Sequence, residues 1–190
     1  DSDVQLLHYQ IPEYGVTLGF FPHQFTQVNA PMNRELVRTV MGYLGTVRGR
    51  SVLDMFCGIG NFTLPLARAG AQAVGIEVSN EAVARAKANA QENALADNSQ
   101  FYAVDLYGEA DTSLAIHAPL EALPKAMILD PPRSGAGPNL ESWVSIQSLQ
   151  KIVYVSCNPT TFAEDAKVLA AAGYALQQVG VYDVFPGTAH

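Results

Sequence analysis

From Ser51 onward the chain alternates short, mainly apolar runs with helix-forming stretches, and that alternation constrains the fold more than any other feature. "SVLDMF", "AQAVGIE", "SQFYAVDL", "KAMILD" and "KIVYVS" are apolar along most of their length rather than at every second position, as strands covered on both faces must be. Between them, "NFTLPLARAG" reads as a helix closing at Gly70. "SNEAVARAKANAQENA" reads as a second, with Ser79 or Asn80 as N-cap and an acidic first turn, and "TTFAEDAKVLAAAG" as a third, closing at Gly173. "YALQQVGVYDVF" is expected to be the last strand. The pattern implies an α/β fold, a Rossmann-like, mostly parallel sheet with helices on both faces.

Upstream, "VQLLHYQI" and "VTLGFF" flank the turn residues "PEYG" and predict a short β-hairpin. A lone hairpin has no core of its own, so residues 1–29 are expected to be the hairpin and linker of an upstream element, with residues 30–190 forming the main domain. That domain opens with a helix over Ala30–Leu44, which carries Met32, Leu36, Val37, Val40 and Leu44 at helical spacing.

Composition removes several function classes. No apolar run approaches the roughly 20 residues that cross a bilayer, and "DSDVQLLHYQ" has no signal-peptide character, so a cytoplasmic chain without membrane contact is expected. Two cysteines and four histidines without ligand spacing predict neither a disulfide framework nor a metal site. A net charge of -7 argues against gripping nucleic acid by charge alone. It leaves room for a catalytic module whose polymer is held by a neighbouring domain or a local basic rim.

In an open parallel sheet, ligands bind beyond the carboxyl ends of the strands. The first such strand runs into "DMFCGIGN", where Gly58 and Gly60 let the backbone turn tightly and approach a ligand. Glu77 follows about 20 residues later at the next strand end, suited to the two hydroxyls of a ribose. Asn61 and Phe62 occupy the region where a pyrophosphate would need bare N–H groups, so S-adenosylmethionine fits better than a dinucleotide. Asp54 would hold the loop or meet the cofactor's ammonium through water, and Asp105 would contact the adenine edge. Each of these acids has a plainer alternative, as a solvated strand-end or loop carboxylate. "ILDPPRSGAG" presents Asp130 from a turn stiffened by two prolines, as methyltransferases acting on planar nitrogen or carbon do. Cys157, at the exit of "KIVYVSCNPTT", is by spacing alone a core filler, half a disulfide, a metal ligand or a nucleophile.

"FPHQFTQVN", "LDMFCGIGNFTLPLA", "GIEVSNEAV", "LDPPRSGA", "YVSCNPTT" and "DVFPGTAH", in that order, resemble the motifs of the RNA (uracil-5-)-methyltransferases that modify ribosomal and transfer RNA. The resemblance implies that Cys157 is the nucleophile and that Gln27, Phe56, Asn61, Glu77, Asp105 and Asp130 serve the cofactor or the active site. Phe25, Gln27 and Asn29 alternate, so an extended segment would turn all three toward the cleft. Arg133 would meet a phosphate or the enolate oxygen, whereas Cys57 is expected to be structural. "FTQVN" and "FCGIGNFTLPLA" favour ribosomal over transfer RNA as substrate. Two other readings stay open: an amino-methyltransferase using "DPPR", and a non-catalytic scaffold that binds cofactor or RNA.

The family usually carries an N-terminal RNA-binding barrel, often an iron-sulfur cysteine cluster, and a glutamate base and final strand beyond the histidine matched by His190. None is written in this sequence, so an excised catalytic domain is expected, binding cofactor but methylating RNA poorly. The missing strand would leave an open seam beside "KIVYVS", liable to self-association.

Overall fold

The computed structural model describes residues 5–23, 29–108 and 123–183. Strands β1 (Leu7–Ile11) and β2 (Val16–Phe20) form an antiparallel hairpin in the register Leu7↔Phe20 to Ile11↔Val16. A 3-10 turn over Pro12–Tyr14 joins them, closed by Gly15 at φ 56°. Helix α1 (Ala30–Leu44) follows, capped by the Asn29 side chain, which accepts from the Met32 amide at 3.2 Å.

The main sheet is built from β3 (Ser51–Met55), β4 (Gln72–Glu77), β5 (Ser99–Ala103), β6 (Ala126–Leu129) and β7 (Lys151–Tyr154), in the order β5-β4-β3-β6-β7 and parallel throughout. Among the described residues its helices are α2 (Thr63–Arg68), α3 (Asn80–Glu92), α4 (Leu140–Val144) and α5 (Pro159–Ala171). The chain winds outward from β3 to β5, then returns to β3's other flank with β6 and β7. The crevice for a ligand therefore lies at the carboxyl ends of β3 and β6, where the winding reverses.

Alternate residues of each strand feed two cores. Val52, Ala73, Phe101, Ile128 and Val153 point to one face, where they pack with Val37, Val40, Leu64, Val83 and the hairpin residues Ile11, Val16 and Leu18. Leu53, Met55, Val74, Ile76, Met127 and Leu129 point to the other, against Leu106, Leu140 and Trp143. Each fully buried Leu, Ile or Met contributes roughly 1.5–3 kcal/mol by leaving water, so both faces hold the sheet.

Two asparagines of α3 fasten the hairpin. The Asn89 amide accepts from Gly19 N at 2.8 Å and donates to Gly19 O at 3.1 Å, while Asn93 makes the same pair with Thr17 at 2.9 and 2.7 Å. A carboxamide can mimic a neighbouring strand in this way because it carries one acceptor and two donors.

One expected strand is not formed. Residues 174–183 of "YALQQVGVYDVF" have no regular structure, and the remaining two lie outside the described residues. Leu176, Val179 and Val181 are 76%, 72% and 96% exposed. β-propensity describes a fit to a pleated, half-buried surface, and among the described residues nothing pairs with this stretch. The structure also adds α4, too short to show as a period in the sequence, which buries Trp143 completely.

Candidate active site

The carboxyl ends of five parallel strands set the candidate residues in a row. In spatial order they are Asp105 after β5, Glu77 ending β4, the Phe56–Gly60 loop after β3, Asp130 after β6 and Cys157 after β7. With neighbouring strands about 4.8 Å apart, Glu77 and Cys157 stand three spacings, about 14 Å, from each other across the edge.

The loop after β3 leaves the sheet through a sharp reversal. Phe56 holds φ 64°, a left-handed conformation that costs a non-glycine residue roughly 1–2 kcal/mol. Its ring lies 6.0 Å from both Tyr107 and Trp143, which fix it over the second core. Gly58 follows at φ 53°, and a Cβ built there would meet nothing within 4 Å, so open space lies above the turn. Its N–H donates to Glu77 Oε2 at 3.2 Å, and Ser79 N donates to Oε1 at 3.0 Å. These two bonds aim the Glu77 carboxylate, and its four lone-pair sites leave acceptors for a diol.

Asp54 lies beneath the loop and is fully buried. Its Oδ2 accepts from the Thr63 hydroxyl at 2.5 Å, while Oδ1 has no partner. Burial raises its pKa to about 7, opposed by the Thr63 bond and assisted by the charges of Asp130 and Glu77. Asp130 is likewise pushed up to about 7 by burial. A carboxyl group in that range changes protonation near neutral pH, as a group that exchanges a proton with a ligand must.

Asn61 is committed to the scaffold. It exchanges two amide bonds of 2.9 Å with Asn33 of α1, and its Oδ1 also accepts from the Tyr9 hydroxyl of the hairpin at 2.9 Å. These bonds tie the loop to α1 and the hairpin. Gln27 and Phe25 lie outside the described residues, and Asn29 serves as the cap of α1. Cys57 is buried, with its thiol pKa pushed up by desolvation. A Cβ on Gly75 would come within 2.7 Å of its Sγ, so Cys57 packs against bare backbone.

Asp105 is exposed and accepts from Tyr107 N at 2.9 Å, which shapes a turn. Tyr107 was not singled out in the sequence, yet its hydroxyl reaches Ser134 Oγ at 3.1 Å and the Gly135 carbonyl, and its ring lies where a Cβ on Gly137 would stand. Only the contact of two loops distant in sequence reveals it.

Cys157 is exposed at the mouth of α5. Asn158 caps that helix by accepting from Thr160 N at 3.1 Å, and its Nδ2 donates to the Arg133 carbonyl at 2.9 Å. Thr161 Oγ1 donates to the same carbonyl at 3.1 Å. Asp165 Oδ2 accepts from Ala136 N at 2.7 Å and from the Tyr154 hydroxyl at 2.5 Å. The Arg133 side chain itself is exposed. Among the described residues no group of His, Cys, Asp or Glu is arranged to hold a metal ion, and no helix is long and apolar enough to cross a membrane.

The chain is similar to known proteins over nearly its whole length. It is 46% identical over 187 residues to the 23S rRNA (uracil(1939)-C(5))-methyltransferase RlmD of Hahella chejuensis, covering 98% of this chain and 41% of that protein. To the enzyme of the same name from Aromatoleum aromaticum it is 44% identical, covering 97% of this chain and 42% of the relative. It thus spans about two-fifths of the length of the curated relatives it matches. In structure it resembles the Pyrococcus abyssi tRNA (uracil-54, C5)-methyltransferase in complex with S-adenosyl-L-homocysteine, with a TM-score of 0.68 and 30% identity over 86% of this chain and 38% of that one. The family described as tRNA (Uracil-5-)-methyltransferase matches residues 8–190, and the chain belongs to that family.

Proposed function

We propose that this chain carries the catalytic part of an S-adenosylmethionine-dependent RNA methyltransferase acting on uracil C5, with 23S ribosomal RNA as its substrate. The observation that carries the reading is the row of Glu77, the Phe56–Gly58 turn, Asp130 and Cys157 on successive strand ends. The names of the relatives support the substrate class, ribosomal RNA for the two sequence relatives and transfer RNA for the solved structure. Residues 30–190 form the catalytic domain in this reading, and the hairpin within residues 1–29 leads in from an upstream element while sharing the domain's core. The outer edge of β7, unpaired among the described residues, supports strand addition by a second molecule.

The residues present fit the cofactor: an aimed carboxylate at Glu77, open space over Gly58, and the unpartnered Oδ1 of Asp54. Glu77 would hold the ribose, Asp105 the adenine edge and Phe56 the face beside it. Gly58 and Gly60 would keep the backbone clear, and Asp54 would attract the ammonium. When bound, the cofactor supplies an electrophilic methyl group on a sulfonium.

Cys157 then does the work that uracil cannot do unaided. Its thiolate adds to C6, forming an S–C6 bond and moving the C5–C6 π electrons into an enolate at O4. The nucleophilic C5 so formed would accept the methyl group that the bound cofactor supplies, the electrons of the broken carbon–sulfur bond staying with the cofactor's sulfur. A base removes the C5 proton, and the returning electrons rebuild the C5–C6 double bond and expel the thiolate. Asp130, able to hold a proton near pH 7, pairs with the uracil edge, and Arg133 meets a phosphate or the O4 charge. The target nucleotide is unstacked and turned into the cleft.

The test is Cys157→Ser with RNA containing 5-fluorouridine, which cannot lose its C5 substituent and traps the covalent adduct. The adduct should form with the native chain and be lost in the variant, with binding of S-adenosylhomocysteine retained. Methyl transfer that survives the substitution would refute the nucleophile and favour amino-methylation through the Asp130 motif.

A further inference from the structure

We infer that Asn158, Thr161 and Asp165 form a polar stripe on α5 that sets Asp130 and its loop in register with Cys157, and that these three are positioning residues for the methyl transfer. The inference rests on the nucleophile reading above and deepens it. At spacings of three and four, the three side chains share one face of the helix. All three reach backbone groups of one loop: Asn158 and Thr161 converge on the Arg133 carbonyl, and Asp165 receives the Ala136 N–H. The loop they grip, Pro131–Gly137, leaves β6 directly after Asp130, while the helix they stand on begins directly after Cys157.

The approach is close enough to need a glycine. A Cβ on Gly135 would lie 2.9 Å from Asp165 Oδ2 and 3.3 Å from Thr161 Cβ, and Gly135 itself holds φ 87°. Asp165 is anchored in turn by the Tyr154 hydroxyl at the end of β7, so the stripe is braced from the strand that delivers Cys157. On its other side the same loop receives the Tyr107 hydroxyl at Gly135, next to Phe56. The loop is therefore fixed between the turn after β3 and the segment that carries Cys157.

A plain capping role for Asn158 would use only its Oδ1, which bonds Thr160 N. The Nδ2 bond to Arg133 is separable from it, because serine caps a helix about as well as asparagine but carries no amide to reach across. Asn158→Ser together with Thr161→Val removes both donors to the Arg133 carbonyl without adding charge near Cys157.

The double variant is expected to lower kcat for RNA methylation about tenfold or more, equivalent to about 1.4 kcal/mol, with KM for RNA and for S-adenosylmethionine unchanged and adduct formation with 5-fluorouridine RNA slowed in parallel. Alkylation of Cys157 by iodoacetamide should change less than about twofold, since a small reagent needs no registered partner. Buried Cys57 should stay unreactive, which excludes general unfolding. Independently of turnover, amide exchange of the native chain and the variant should show residues 133–136 and 160–162 losing protection together, by about tenfold. Native exchange in both segments would overturn the inference, as would native kcat in the double variant. Loss of activity in the double variant alongside an active Cys157→Ser would instead sink the nucleophile reading and leave the stripe with a structural role only.

Discussion

The buried carboxyl of Asp54 makes stability depend on pH in a way that can be worked from the structure. The group is fully buried, one oxygen bonds Thr63, and the other has no partner. Its pKa rises from 3.8 to about 7 on folding, a shift of about three units or roughly 4 kcal/mol at full extent. Because the folded pKa is the higher one, the folded state binds the proton more tightly. The stabilisation is complete below about pH 4 and is lost as pH rises to about 7. Between pH 5 and pH 8 the loss should be roughly 2–3 kcal/mol.

Asp54→Asn keeps an acceptor for Thr63 and cannot titrate. It leaves an unpaired N–H where Oδ1 stood, at a cost of about 1–3 kcal/mol that does not vary with pH. The variant should therefore be less stable than the native chain at pH 5 and about level with it at pH 8. With a urea slope of about 2 kcal/mol per molar, the gap between their midpoints should close by about 1 M across that interval. Titrating groups remote from Asp54 are common to both proteins and cancel in the comparison, whereas the smaller couplings of Asp130 and Glu77 to Asp54 are removed with it and belong to the measured difference. Parallel midpoint shifts in the two proteins from pH 5 to pH 8 would refute the argument that Asp54 is a strained, proton-binding acid.

Two further substitutions test the scaffold under the site. Gly75→Ala should destabilise by about 2–3 kcal/mol, since its Cβ would stand 2.7 Å from both Cys57 Sγ and Phe101 Cδ1; part of the loss should return in a Cys57→Ala background, read as coupling in a urea double-mutant cycle. Asn89→Ala strips partners from Gly19 N, Gly19 O and Ile59 O and should cost about 3 kcal/mol, with faster amide exchange at Gly19 as its signature.

Much of the framework was legible before any coordinates. The mainly apolar strands announced a covered parallel sheet, and the caps Ser79, Gly70 and Gly173 marked helix ends that the structure reproduces to within a few residues. The strand expected over residues 174–185 does not form over 174–183, because its β-branched residues satisfy the local rule while a strand also requires a neighbour to pair with. At the site, the places of Glu77, Asp130 and the glycine turn on the carboxyl edge of the sheet were readable, because apolar strands end where these residues begin and ligands bind beyond strand ends in such a sheet. The scaffold bonds of Asn61 were not readable for a related reason: its partners Asn33 and Tyr9 lie 28 and 52 residues away, and no local pattern connects them.

By itself, then, the sequence determined the parallel sheet, the hairpin and the longer helices, and the family motifs along them, because hydrophobic period, caps and motif residues act over a few neighbouring positions. Tertiary structure decided which side chains are free for a ligand and which are spent on the scaffold. Hydrogen-bond partners and desolvation depend on contacts between segments far apart in the chain. The thiol at Cys157 could be named from its motif, but the polar stripe that grips the loop beyond Asp130 exists only where α5 and that loop meet.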